Sequence, residues 1–240
     1  MNSFFIALQF LTLFRFKKDL SFSDSELKKS VFFFPIIGLL LGLILFFITE
    51  TILNYSPLSL QAVILVGLLA LLSGGLHLDG LSDCADALLS SRSKKRMLEI
   101  MKDSHAGSMA VIVLWIFLSL KAVAFYEILC NNLNLIILIP IVSRTLVCIP
   151  LDRLPYIREE GLGKAMWNYP SHQYIWKIVS LLLFSLIFYN QLFFWPFFIT
   201  TTVIWLFCIH VKNTLGGGTG DVSGATIEIA ETLFAISLCF

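Results

Sequence analysis

Charge is what this chain has least of. Asp, Glu, Lys and Arg make up 14% of its 240 residues, where a soluble domain carries about 25%. Hydrophobic types make up 58%, against a usual ~45–50%. Too few polar groups remain to cover a water-facing surface, which excludes an ordinary soluble domain. Neither sign of charge is in excess: the net charge is +1, so nothing in the total points to nucleic acid as a partner. The cysteines, Cys84, Cys130, Cys148, Cys208 and Cys239, lack any C-x-x-C spacing. They read as buried thiols, neither a zinc site nor a disulfide framework. The opening MNSFFIALQFLTLF has no basic region and no small-residue cleavage site, so no cleaved signal peptide is expected.

What is present is a series of long apolar runs. A helix needs about 20 mostly apolar residues to cross a bilayer. The runs predict spans near 31–53, 57–76, 108–130, 134–150, 174–190, 191–211 and 222–240, with residues 3–14 as a short interfacial helix. The expected fold is all-α: a polytopic transmembrane bundle of about seven spans, built as one integral membrane domain over residues 1–240. Orientation follows from the basic residues. Apart from Lys121 and Arg144, the 17 Lys and Arg fall before the first span, between alternate spans, or after the sixth: Arg15, Lys17, Lys18, Lys28 and Lys29; Arg92, Lys94, Lys95, Arg96 and Lys102; Arg153, Arg158 and Lys164, with Lys177 just inside the fifth span; and Lys212. The intervening turns carry none, which puts the N-terminus in the cytoplasm. Lys121 and Arg144 sit inside predicted spans, where charge marks either function or a structural ion pair, with Glu127, Glu228 or Glu231 as partners.

The polar segments of substance, 77–107 and 212–221, share that cytoplasmic face. In HLDGLSDCADAL (77–88), Asp79, Asp83 and Asp86 stand at i, i+4 and i+7, one stripe of a helix. Adjacent carboxylates repel unless something neutralises them, and Mg²⁺ does so through carboxylate oxygens and water. The plainer reading is a solvated acidic face with Asp79 as a cap. His77 lies on the opposite face, suited to substrate more than to the same ion. In RMLEIMKDSHAGS (96–108), Asp103 is a candidate fourth metal ligand, and Arg96 and Lys102 are candidate phosphate contacts; an ordinary amphipathic interfacial helix explains the pattern as well. GGGTGD (216–221) offers Gly217, Gly218, Gly220 and Asp221 around an anion at a helix start, though a glycine-rich turn with Asp221 as N-cap would read the same. Carboxylates, basic groups and a glycine loop together fit phosphoryl transfer from a nucleotide diphosphate.

These strings resemble the cobalamin-5′-phosphate synthase (adenosylcobinamide-GDP ribazoletransferase) family. The resemblance runs through QFLTLF (9–14), FFPIIGLLLG (33–42), GGLHLDGLSDCADAL (74–88), EIMKDSHAGSMAV (99–111), Ser143-Arg144 and GGGTGDVSGATIEIAE (216–231). Departures at Ser82, Cys84, Ala87 and Ser223 remove no carboxylate. The resemblance implies a transferase of cobalamin biosynthesis in the bacterial inner membrane. The ribose 3′-hydroxyl of α-ribazole or its 5′-phosphate attacks adenosylcobinamide-GDP, and GMP leaves. It implies Mg²⁺ as cofactor, held by Asp79, Asp83, Asp86 and Asp103, with Asp79, Asp83 and Asp86 catalytic. It implies substrate contacts at His77, Arg96, Lys102, Arg144, Gly217, Gly218, Gly220 and Asp221. The expected partners are these small molecules and the lipid bilayer, with other late cobalamin-pathway enzymes or a second copy of the chain as further candidates. A lipid-directed phosphotransferase of the CDP-alcohol type, whose D-G-x-x-D-x-x-D order is echoed, and an ion-coupled transporter are the competing readings.

Overall fold

A computed structural model describes residues 2–14, 22–158, 161–167, 177, 179–180 and 190–240. Its helices are α1 (Asn2–Leu11), α2 (Asp24–Ser30), α3 (Phe34–Ile48), α4 (Leu58–Leu72), α5 (Leu76–Leu88), α6 (Lys94–Ile100), α7 (Ser108–Asn131), α8 (Leu135–Leu146), α9 (Cys148–Arg153), α10 (Phe194–Leu215) and α11 (Gly220–Ser237). No strand occurs among the described residues, in agreement with the all-α expectation.

Among the described residues, four stretches are long and apolar enough to cross a membrane: Asp24–Leu53, Ser108–Asn131, Leu135–Arg153 and Gln191–Leu215. α3, α7 and α10 turn large apolar side chains outward, among them Phe47, Trp115 and Leu206, as helices solvated by lipid do. Among the described residues these four, or five if α4 and α5 count as one broken span, stand against the expected seven. The expected span at 174–190 and the basic residues Arg15, Lys17 and Lys18 lie outside the described residues.

The 57–76 run breaks where the sequence places consecutive glycines. Gly74 (φ +68°) and Gly75 (φ +69°) both take left-handed backbone, which glycine adopts without a Cβ penalty. α5 therefore leaves α4 at 91°. The Leu72 carbonyl, orphaned at the helix end, accepts the Leu13 N–H at 2.8 Å, so α1 and its trailing residues brace the corner.

The 222–240 run becomes α11, the buried centre of the bundle. Its residues from Val222 to Glu228 are all buried, and α5, α7, α8 and α10 pack around it. Within lipid, apolar burial gives little drive for helix association, so close packing and buried polar pairs must supply it. Both are visible. Gly38 and Gly42 lay α3 directly on the Pro140 and Ile137 backbone of α8. Lys121 of α7 donates to Glu228 at 2.5 Å and to Glu231 at 2.6 Å on α11, and Arg144 of α8 pairs with Glu231. All four charges are buried. Two cations facing two carboxylates leave no uncompensated charge in the low-dielectric interior, the condition under which such a cluster is tolerated. The intramembrane pair foreseen with Glu228 or Glu231 is thus present; Glu127 is exposed.

Candidate active site at the crossing of α5 and α11

α5 crosses α11 through small residues. A Cβ on Gly80 would stand 2.6 Å from the Asp221 carbonyl oxygen and 3.0 Å from its Cα. A Cβ on Gly224 would meet the His77 backbone at 3.2 Å. The glycine within L-D-G-L is therefore where the two backbones touch, and it sets Asp79 and Asp83 of α5 beside Asp221 at the start of α11.

The acidic stripe divides by task. Asp86 serves the fold: its carboxylate accepts the Gly107 N–H at 2.6 Å and the Ala110 N–H at 2.9 Å. Gly107 is the N-cap of α7 and has no side chain to cap with, so Asp86 does it from another helix, where the helix dipole also favours a negative charge. Asp79 and Asp83 remain available. Neither has a hydrogen-bond or ion-pair partner among the described residues, Asp79 is exposed and Asp83 half-buried. Burial, then the Asp221 and Asp79 charges, push Asp83 up to about 7, against the pull of Arg158. Burial likewise raises Asp221, with Arg158 opposing.

That surplus of negative charge fits a divalent cation. Among the described residues no three Asp, Glu, His or Cys side chains close around one point as a metal cage. Mg²⁺ does not ask for a cage: it is commonly held by one or two carboxylates, with water and substrate phosphate filling the remaining positions. Asp79, Asp83 and Asp221 are the carboxylates suited to that.

The glycine loop is a built joint. Gly216 (φ +81°) is the left-handed C-cap of α10, its N–H donating to the Lys212 carbonyl at 2.9 Å. Gly217 and Gly218 leave no room for a Cβ, against Pro155 and the Trp167 ring respectively. The Gly218 N–H donates to the Pro155 carbonyl at 2.8 Å, and the Ile157 N–H to the Gly218 carbonyl at 3.2 Å. Thr219 caps α11 by accepting the Val222 N–H, the role foreseen as an alternative for Asp221. Of the four loop glycines, Gly220 alone would place a Cβ in open space. Of the loop residues expected at substrate, Gly217 and Gly218 are buried against Pro155, Ile157 and Trp167, while Gly220 is exposed and Asp221 half-buried.

Other expected members stand elsewhere. Arg96 is exposed and pairs with Glu99 at 2.9 Å; Lys102 is exposed. Asp103, also exposed, is held by His105 at 2.7 Å, and that hydrogen bond lowers it from the usual carboxylate range. The charges that act most on Asp83 are Asp221, Asp79, Arg158 and Asp86, not Asp103, Arg96 or Lys102. His77 is buried with Nδ1 unbonded among the described residues, in the field of Arg144, Glu231 and Lys121. Arg144, expected at phosphate, is wholly buried on Glu231; it belongs to the ion cluster.

No sequence spacing singles out Arg158. Its Nη2 donates to Asp221 Oδ2 and to the Met101 carbonyl. The same holds for Lys94, whose Nζ lies against Gly216. Neither sits at a helical spacing from the acidic stripe; folding alone brings them there.

Comparison with known proteins identifies the family of the chain. The family model for Cobalamin-5-phosphate synthase matches residues 3–239. A Desulfitobacterium hafniense protein named adenosylcobinamide-GDP ribazoletransferase is 36% identical, over 98% of this chain and 96% of its own length. Proteins of the same name from Pseudomonas entomophila (35% identical, 99% of this chain and 98% of its own) and Clostridioides difficile (33%, 98% and 96%) are similar over comparable lengths. No solved structure matches the chain. With nearly every residue inside the matched region, the chain belongs to the cobalamin-5-phosphate synthase family.

Proposed function

We propose that this chain joins the corrinoid of adenosylcobinamide-GDP to α-ribazole or its 5′-phosphate, releasing GMP, at the face of a bacterial inner membrane with its N-terminus in the cytoplasm. The observation that carries the reading is the pairing of two unengaged carboxylates, Asp79 and Asp83, with Asp221 in a chain of this family. The acceptor ribose 3′-hydroxyl oxygen bonds to the cobinamide-linked phosphorus, and the bond from that phosphorus to the GMP oxygen breaks. The hydroxyl proton passes to a carboxylate. The acceptor is whichever of Asp79, Asp83 and Asp221 keeps an oxygen free of the cation. Bound through Asp79, Asp83 and Asp221, Mg²⁺ would neutralise the diphosphate and the departing GMP. Gly220 supplies the open approach and Arg158 holds Asp221 in place.

The test is purified protein in detergent with adenosylcobinamide-GDP and α-ribazole 5′-phosphate, with and without Mg²⁺. Mg²⁺-dependent GMP release matched by cobalamin phosphate is the expected result. Transfer from CDP-diacylglycerol without activity on the GDP-linked corrinoid would replace this reading with that of a lipid phosphotransferase.

A further inference from the structure

We propose that Arg158 is the diphosphate-binding residue of this site, with Lys94 as a second cation at the other end of the 216–221 loop. The inference rests on the functional reading above, since it names what receives the substrate's phosphates.

Position is the first argument. Residues 155–157 are bridged to Gly218 by two backbone hydrogen bonds, so the residue that follows is clamped beside the glycine loop. The Arg158 side chain keeps 27% exposure, enough to meet a ligand, and it bonds Asp221, the residue after Gly220. Valence is the second. A guanidinium has five N–H donors in a planar fork. Nη2 alone serves Asp221 and the Met101 carbonyl; Nη1 and Nε have no partner among the described residues. Arg158 can therefore keep Asp221 oriented and still offer a planar edge to a phosphate, the geometry for which arginine is suited. Charge is the third. Asp79, Asp83 and Asp221 would repel a diphosphate, and Arg158 is the cation acting on Asp83 and Asp221 together. Lys94 Nζ, over Gly216, extends positive charge along the loop. Arg96 and Lys102, the cations singled out by sequence, have no such link to the carboxylates.

The probe is GDP, measured by calorimetry on purified protein in detergent, alongside Mn²⁺ binding by electron paramagnetic resonance. Arg158→Gln is expected to weaken GDP roughly 10- to 100-fold, the weight of a charged hydrogen bond, while Mn²⁺ still binds. Arg158→Lys keeps the charge but loses the fork, and should recover only part of the affinity. Lys94→Gln should weaken GDP by a smaller factor. GDP affinity unchanged in a folded Arg158→Gln protein overturns the proposal, as does equal loss of GDP and Mn²⁺, which marks Arg158 as a strut for Asp221 alone. A protein that binds GDP through Arg158 yet makes no cobalamin phosphate would instead discard the reaction and keep the site. If Arg158→Gln does not fold, Arg158→Lys decides by the same two readouts.

Discussion

Replacing Gly80 by alanine tests how the site is assembled without touching a charged group. The added Cβ would sit 2.6 Å from the Asp221 carbonyl oxygen and 3.0 Å from Asp221 Cα. Both are backbone atoms of a helix start, so no side chain can swing away. Ordinary contact needs about 3.5 Å, so α5 must retreat from α11 by about 1 Å. Overpacking of this kind costs about 1–3 kcal/mol, which a bundle held by several other interfaces should survive. Function should not survive as well, because a misplacement of about 1 Å can cost about 100-fold in rate. Gly80→Ala is therefore expected to purify as a folded protein with a modestly lowered Tm and with GMP release down by about two orders of magnitude. Thermal melting in detergent and a transferase assay on one preparation read the two effects separately. Wild-type turnover in Gly80→Ala would refute the claim that the α5–α11 crossing sets the carboxylate geometry.

Other perturbations separate the roles further. Asp86→Ala should lower stability by about 1–2 kcal/mol, as loss of an N-cap does, because the Gly107 and Ala110 N–H groups lose their acceptor; an unchanged Tm would contradict the capping role. Lys121→Met leaves Glu228 and Glu231 short of a buried cation and should cost about 3–5 kcal/mol, while Lys121→Met with Glu228→Gln should cost less; equal losses in single and double variants would show that the charges do not act as a unit. In chelator, stability should depend on pH through Asp83. Its folded value of about 7 lies above the ordinary 3.8, so the folded chain binds the proton more tightly. The contribution is present below the ordinary value and is lost as pH rises through about 7. Asp83→Asn should flatten that slope in a melting series from pH 4 to pH 8, and Mg²⁺ should reduce it; a slope unaltered by Asp83→Asn would assign it to other groups.

The sequence made some of this plain and hid the rest for definite reasons. The stripe of Asp79, Asp83 and Asp86 was legible because helical spacing puts them on one side. Its division of labour was not: Asp86 caps a helix whose first turn lies 21 residues on. The apolar runs announced a membrane bundle, yet hydropathy treats Gly74 and Gly75 as neutral filler, and these glycines make the 91° turn. α11 read as a weak last span because Asp221, Glu228 and Glu231 dilute it; its partners Arg158, Lys121 and Arg144 come from three other segments, and no local pattern links them. Arg144 was legible only as an intramembrane charge, open to phosphate or to an ion pair, and the structure shows the pair with Glu231.

The most direct test of the central claim is single-turnover GMP release from adenosylcobinamide-GDP by Asp83→Asn and Asp221→Asn proteins reconstituted in liposomes, each shown by melting to be folded. The account predicts that Asp83→Asn abolishes release and that Asp221→Asn reduces it severely. Release near the wild-type rate from folded Asp83→Asn protein would contradict it and move the reaction centre away from the α5–α11 crossing.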